Sequence, residues 1–111
     1  MPAVADAVEA LVALGRLEQA EELLAALVEE AKAGHRWARS AVIRSRALLL
    51  LARGETERAL GAANESAGEF ETAGFPLDQA RALLIAGDAL RRLGERRRAA
   101  EKIEAAKAVF V

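Results

Sequence analysis

The densest group of side chains in this sequence that could bind a ligand is a cluster of arginines around one predicted turn. Such a cluster could contact phosphates, because each phosphate that an arginine neutralises adds to the affinity for nucleic acid. Arg97 and Glu101 stand four positions apart, however, which is the spacing of an ion pair on a solvated helix. No aromatic residue alternates with the arginines to stack on bases. We therefore predict a solvated helix face and no direct nucleic-acid binding by this cluster, which comprises Arg91, Arg92, Arg96, Arg97 and Arg98.

A second set of arginines recurs at heptad spacing, namely Arg39, Arg46 and Arg53. This spacing aligns the three side chains along one helix. They could line an anion-binding groove, or they could form a rim that pairs with glutamates of neighbouring helices such as Glu57 and Glu18. We predict the rim.

The sequence contains few of the side chains that form catalytic or metal sites. Cysteine is absent and His35 is the one histidine, which excludes thiolate nucleophiles, cysteine zinc sites and any site with two imidazoles. Asp88 and Glu9 are carboxylates that nothing in the sequence brings together, and paired-carboxylate catalysis needs proximity as well as a shifted pKa. Trp37 could anchor a peptide, but its helical spacing from Leu48 favours a place in the core. We predict a protein that is not an enzyme and carries neither a cofactor nor a metal.

The composition indicates which elements must position these side chains. Ala, Leu, Glu and Arg are good helix formers and fill 71 of the 111 positions, whereas tyrosine is absent. We therefore predict one all-α domain over residues 1–111. A net charge of −1 and the lack of an apolar run of about 18 residues argue against a membrane partner. Asp6 and Glu9 stand where a signal peptide would be basic, so we expect a cytoplasmic protein.

One unit of sequence occurs three times. Segments that begin at Leu11, Leu50 and Leu90 each contain a glycine at the fifth position, and an alanine follows each glycine five positions later. The glycines lie 39 and 40 residues apart. Because glycine tolerates the left-handed backbone that ends a helix, each unit is predicted to be two helices around its glycine. The residues concerned are Gly15, Gly54 and Gly94, followed by Ala20, Ala59 and Ala99.

The repeat divides the chain into three helical hairpins, over about residues 3–33, 36–73 and 76–110. We predict six helices at about 3–14, 17–33, 36–53, 56–73, 76–93 and 96–110. The third helix is apolar nearly all round from Ile43 to Ala52, which is typical of a helix packed between others. The second helix of each unit carries an apolar stripe along one face, formed by Ala20, Leu24, Leu27 and Ala31, by Ala59, Ala63, Ser66 and Phe70, and by Ala99, Ile103, Ala106 and Phe110.

The glycine at the turn and the alanine five positions later resemble the tetratricopeptide repeat over the whole chain. The resemblance implies three antiparallel helix hairpins that stack as a right-handed superhelix. It places first-helix contact residues at Ile43, Ala47 and Leu50 in the second unit and at Leu83, Gly87 and Leu90 in the third. The period of about 40 departs from the usual 34. Arg46 stands where the motif has a buried apolar residue, so this arginine must reach a rim.

Longer segments of the sequence resemble a more specific class of proteins. Gly74-Phe75-Pro76 precedes an Ala-Arg-Ala-Leu-Leu helix that starts at Ala80, and a Leu-Gly-Glu-Arg-Arg-Arg turn follows. This combination is similar to the helical-repeat region of the large ATP-binding LuxR-type transcription regulators, which include the maltose-type activators. In those proteins an ATPase module precedes the repeats and a DNA-binding helix-turn-helix follows them. This chain has no phosphate loop and ends at Val111, so the resemblance implies a fragment or a short relative that acts in transcription regulation.

These resemblances imply a non-catalytic signalling scaffold that binds a protein, a peptide or the neighbouring domains of a longer chain. The first helix of each unit would line the concave surface of the superhelix. By that register the partner-binding residues are Glu9, Val12, Arg44, Leu48, Leu51, Arg81, Leu84, Asp88 and Arg91. The alternative is a helical bundle that binds a small effector in a closed cavity between its helices.

The two ends of the chain carry apolar residues. A repeat array needs polar outer faces on its terminal units to remain monomeric. The first helix has Val4, Val8, Leu11 and Val12, and the sequence ends with Val109, Phe110 and Val111. We therefore predict that the isolated chain forms homo-oligomers, either end to end or by exchange of a terminal helix.

Overall fold

The computed structural model contains six α-helices and no strand among the residues that it describes, which are 2–34 and 36–109. The side chains of residues 2–5, 36 and 37 are also outside the description, so the predictions on Val4, His35, Trp37, Phe110 and Val111 lie outside the described residues. The helices are α1 (Pro2–Ala13), α2 (Leu17–Lys32), α3 (Arg36–Ala52), α4 (Thr56–Ala73), α5 (Pro76–Arg92) and α6 (Arg96–Ala108). The predicted all-α class is confirmed, and every predicted boundary lies within two residues of the observed one.

The three glycine turns inside the hairpins share one backbone geometry. Gly15, Gly54 and Gly94 have φ angles of 75°, 81° and 81°. In each turn the residue after the glycine donates its N–H to the carbonyl oxygen five residues earlier, at 2.8 to 2.9 Å. The glycine N–H donates to the carbonyl three residues earlier, at 3.0 to 3.1 Å. This pair of bonds satisfies carbonyls that the end of the helix leaves open, so the shared sequence pattern has a shared structural cause.

The residue after each glycine also repeats its conformation. Arg16 has φ −89° and ψ 67°, Glu55 has −87° and 66°, and Glu95 has −91° and 67°. Because the two helices of a hairpin leave the turn on either side of this residue, equal dihedral angles give the three hairpins the same entry angle into the second helix.

Helices α1, α3 and α5 form one layer, and α2, α4 and α6 lie behind it. Each helix packs against its neighbour in sequence, and α3 also contacts α1 and α5. Among the described residues, no Cα atom of α4 lies within 8 Å of a Cα atom of α2 or α6. The prediction that α3 lies between other helices is therefore confirmed, since it touches α1, α2, α4 and α5. The Cα atoms span 37 × 30 × 19 Å.

The apolar interior consists of three clusters along the stack. The first joins α1, α2 and α3 and includes Val8, Leu27 and the fully buried ring of Phe70 from α4. The second lies between α3, α4 and α5 and is mostly alanine, with Ala59, Ala63, Ala86 and Ala89 among its members. The third joins α4, α5 and α6 around Leu83. Small side chains in the second cluster allow the backbones of α4 and α5 to approach closely, so this part of the core stabilises the fold through packing rather than through bulky side chains.

The predicted stripes on the second helices match the buried residues closely. Ala20, Leu24 and Leu27 are buried on α2, all four stripe residues are buried on α4, and Ala99 and Ala106 are buried on α6. Ala31 and Ile103 are only half-buried. One premise about the ends is wrong: Val8 is fully buried, and Leu11 and Val12 pack against the first cluster, because α1 turns these side chains toward α2 and α3.

Candidate interaction surface

Several of the predicted partner-binding residues lie together on the layer formed by α1, α3 and α5. One of them, Arg44, is buried. Arg44 lies in the middle of α3 and has no exposed surface. Its Nη1 donates a 2.7 Å hydrogen bond to Oδ1 of Asp78 in the first turn of α5. Its Nη2 lies 3.7 Å from Oε2 of Glu9 on α1. A residue predicted to contact a partner therefore links three helices of its own chain.

The surroundings of the Arg44 guanidinium are partly apolar. Its Cζ lies 5.8 Å from the ring centroid of Phe70, a distance at which a cation is attracted by the face of the ring. The Phe70 ring in turn meets Phe75 edge to face, with centroids 6.2 Å apart. The Nε and Nη2 atoms of Arg44 are buried and have no hydrogen-bond partner within the described part of the chain. The cation is thus held by two carboxylates and one ring, with part of its donor capacity unused.

The other charged residues of this face are also paired within the chain. Arg81 on α5 donates to Asp6 on α1 at 3.2 Å, which joins the first and third hairpins directly. Asp88 accepts hydrogen bonds from Arg91 at 2.9 Å and from Arg92 at 3.3 Å. Pairs between exposed side chains contribute little to stability. They do, however, reduce the charge that this face offers to a partner.

The predicted apolar residues of this face differ in exposure. Leu51 is buried in the second cluster, Leu48 is half-buried against it, and Val12 packs against the first cluster. Leu84 is 50% exposed on α5. Of the four, only Leu84 has a large part of its side chain open to contact.

The arginine cluster around the last turn lies on the surface, with all five members exposed. Arg92 also donates to the carbonyl oxygen of Leu51 at 3.2 Å, and so caps the end of α3 from α5. One member of the cluster, Arg92, therefore joins the second and third hairpins.

A different surface combines open hollows with polar side chains that have no ion-pair or hydrogen-bond partner among the described residues. Between α2 and α4, with α3 as its floor, lies an open hollow of about 340 Å³. Its apolar lining is Val28 and Ala31 from α2 with Val42 and Ile43 from α3, and its charged lining is Lys32, Arg39, Arg46 and Glu65. A second open hollow of about 330 Å³ continues between α3 and α4 and shares Arg39 and Glu65 with the first. We call the two hollows together the α2–α4 groove.

Of the three arginines predicted at heptad spacing, Arg39 and Arg46 line this groove, whereas Arg53 is outside its lining. Arg39 lies 3.4 Å from Glu69 of α4, and Arg53 pairs with Glu21 of α2. The hydrogen bond to Glu21 raises the pKa of Arg53 above its ordinary value. The predicted pairing with glutamates of neighbouring helices thus occurs at Arg39 and Arg53, with Glu69 and Glu21 as partners in place of Glu18 and Glu57, but not at Arg46 within the described part of the chain. Arg46 is exposed, as the departure from the repeat motif required.

Sequence reasoning missed two residues that define these surfaces. Asp78 holds Arg44, and its place in the first turn of α5 carried no signal beyond the ordinary preference for acidic residues there. Asn64 lines the second hollow and has a buried Oδ1 atom without a hydrogen-bond partner among the described residues. Both roles depend on side chains from distant parts of the sequence.

The described residues contain no group of three or more acidic, histidine or cysteine side chains that could hold a metal ion. None of the helices in the described part is both long and apolar enough to cross a bilayer. Comparisons with family models, with curated proteins and with solved structures gave no significant match for this chain.

Proposed function

We propose that this chain is a non-catalytic scaffold that binds a protein or peptide partner, built from three tetratricopeptide-like hairpins that stack as a right-handed superhelix. The observation that carries the proposal is the repeated turn, in which Gly15, Gly54 and Gly94 share their φ angles and hydrogen bonds. Equal hairpins stacked side by side produce extended surfaces, which repeat proteins use for recognition.

The geometry offers two such surfaces. The first is the predicted face of α1, α3 and α5, where Leu84 is half exposed between Arg81 and Asp88. The second is the α2–α4 groove. Both are open to solvent, which suits a docked polypeptide segment better than a small effector enclosed between helices.

The place of this scaffold in a LuxR-type transcription regulator of the cytoplasm is part of the same proposal. Its support is the sequence resemblance around Gly74-Phe75-Pro76 and the turn that contains Arg96 to Arg98. A phosphate loop encoded upstream and a helix-turn-helix encoded downstream in the same reading frame would support it; their absence from the frame would contradict it.

Site-specific photo-crosslinking in the native host tests the scaffold function. A photoreactive amino acid is placed at Leu84 on the first-helix face, at Glu65 in the groove, and at Glu101 on the exposed side of α6 as control. A scaffold gives one protein product from Leu84 or Glu65 that does not form from Glu101. Equal products from all three positions, or none, would contradict the function.

Self-association of the isolated chain is a further part of the proposal. Its support is the exposure of Leu14 (69%), Leu77 (54%) and Leu84 (50%), since Val8, Leu11 and Val12 of α1 pack into the first cluster. Light scattering across a hundredfold range of concentration measures it. A mass that stays at 11.8 kDa throughout would reject it.

A further inference from the structure

The α2–α4 groove has the dimensions of a short polypeptide segment. It follows α3 from Arg39 to Arg46, which is about 10 Å at the rise of an α-helix. An extended chain covers that length with about three residues. The groove therefore accommodates one apolar side chain and its two neighbours.

The floor and the α2 side of the groove define the side chains that fit. Val28 and Ile43 are half-buried apolar residues whose remaining exposed surface lines the hollow. Arg46 is exposed beside them and forms no ion pair with any described residue, whereas Arg39 is occupied by Glu69. Lys32 lies at the same edge but pairs with Glu29 at 3.2 Å, and Glu65 lies on the α4 side, so Arg46 is the cation of the lining that is open to a ligand carboxylate. An apolar side chain next to a carboxylate is complementary to this arrangement.

The α4 side of the groove leaves open space for a ligand. Asn64 lines this hollow, although its Oδ1 atom is buried and closed to a ligand. Gly68 lies one turn along α4 in the same hollow, and its missing side chain leaves open space beside Asn64.

We infer that the α2–α4 groove binds a short extended segment of a partner protein that is acidic and apolar. One apolar side chain packs on Val28 and Ile43, and a neighbouring carboxylate pairs with Arg46. This inference rests on the proposed scaffold function and names the chemistry of its partner.

Binding of defined peptides to the full chain tests the inference without knowledge of the natural partner. The probe is the blocked hexapeptide acetyl-Glu-Asp-Leu-Leu-Asp-Glu-amide, and the control is acetyl-Gln-Asn-Leu-Leu-Asn-Gln-amide. In ¹H–¹⁵N NMR titrations the acidic peptide shifts the side-chain signals of Asn64 and Arg46. The amide control binds at least tenfold more weakly. No shift at either side chain, or equal affinity for both peptides, would overturn the inference.

A matched pair of glycine variants separates the groove from the rest of α4. Gly68 and Gly61 are both exposed, and a Cβ atom added to either meets nothing within 4 Å. Only Gly68 lines the groove. Gly68→Gln weakens the acidic peptide at least tenfold because its side chain fills the hollow, whereas Gly61→Gln leaves the affinity within twofold. Equal affinities of the two variants would contradict the inference.

Charge reversal at Arg46 identifies the carboxylate contact. Arg46→Glu abolishes binding of the acidic peptide and creates binding of acetyl-Lys-Lys-Leu-Leu-Lys-Lys-amide, while Arg58→Glu, outside the groove, changes neither. Unchanged binding of the acidic peptide to Arg46→Glu refutes the contact. A photo-crosslink from Leu84 together with failure of these titrations would reject the groove and leave the scaffold function standing.

Discussion

Arg44 on α3 donates a 2.7 Å hydrogen bond to Asp78 on α5, and this bond ties the second hairpin to the third inside the protein. The arginine side chain is 1% exposed and the aspartate 17% exposed. A buried cation is stable only while carboxylates and hydrogen bonds offset its lost hydration. Glu9 of the first hairpin adds a second carboxylate at 3.7 Å, so one guanidinium contacts all three hairpins.

Removal of the Asp78 carboxylate should therefore destabilise the folded protein. We expect Asp78→Ala to lower the free energy of unfolding by about 3–5 kcal/mol, since it leaves a buried charge with one distant carboxylate. Asp88→Ala is the matched control, because among the described residues Asp88 pairs only with exposed arginines on its own helix, and the loss of stability should be about 1 kcal/mol or less. Urea unfolding followed by circular dichroism measures both. Equal losses would show that Arg44 does not depend on Asp78.

Substitution by alanine should change the stability of the protein in opposite directions at two glycines. Gly54 ends α3 with φ +81°, a conformation that costs a residue with a side chain about 1–2 kcal/mol, so Gly54→Ala should be destabilising by that amount. Gly61 lies within α4 with open space around its Cα, so Gly61→Ala should stabilise the protein by about 0.5–1 kcal/mol. Thermal unfolding of the two variants provides the comparison, and a shift of both midpoints in one direction would contradict the proposed role of the turn.

Adjacent leucines on α5 should differ in importance. Leu83 is buried against α4 and α6, and Leu83→Ala should cost about 2–5 kcal/mol. Leu84 is half exposed, and Leu84→Ala should change stability by no more than about 0.5 kcal/mol. Denaturant midpoints distinguish the two. A large loss at Leu84 would mean that this residue is part of the core and not of a binding face.

Helix α5 lies close to α6 at Gly87. A Cβ atom added there would lie 3.3 Å from Cγ1 of Ile103 and 3.4 Å from the carbonyl oxygen of Ala99. We expect Gly87→Val to cost about 1–3 kcal/mol through overpacking. Ile103→Ala in the same chain should recover part of that cost, with a coupling of at least about 0.5 kcal/mol. A double-mutant cycle in urea measures the coupling, and strict additivity would exclude the contact.

Much of the fold could be predicted because it depends on neighbours in sequence. The helices follow from alanine, leucine, glutamate and arginine content, and their ends follow from glycines at fixed positions. The stripe Ala59, Ala63, Ser66 and Phe70 followed from helical periodicity and is entirely buried. These features need no knowledge of which hairpin lies beside which.

The exposure of residues on the proposed binding surface was harder to predict, because exposure depends on which helix of the same chain packs against them. Arg44 and Leu84 occupy equivalent positions in two units, 40 residues apart, yet the arginine is buried and the leucine is half exposed. The first faces α5, whereas no described helix covers the second. Register alone assigned both to one concave face.

The order of the helices, their ends, and the side of each second helix that faces the core can be derived from the amino-acid sequence, since they follow from local backbone preference and a period of 3.6 residues. Only the packed structure shows that Asp78 and Glu9 hold Arg44, that Glu69 pairs with Arg39, and that Oδ1 of Asn64 has no donor among the described residues. Those relationships join residues from different helices. Their free energies depend on distance and burial, which arise only when the hairpins pack.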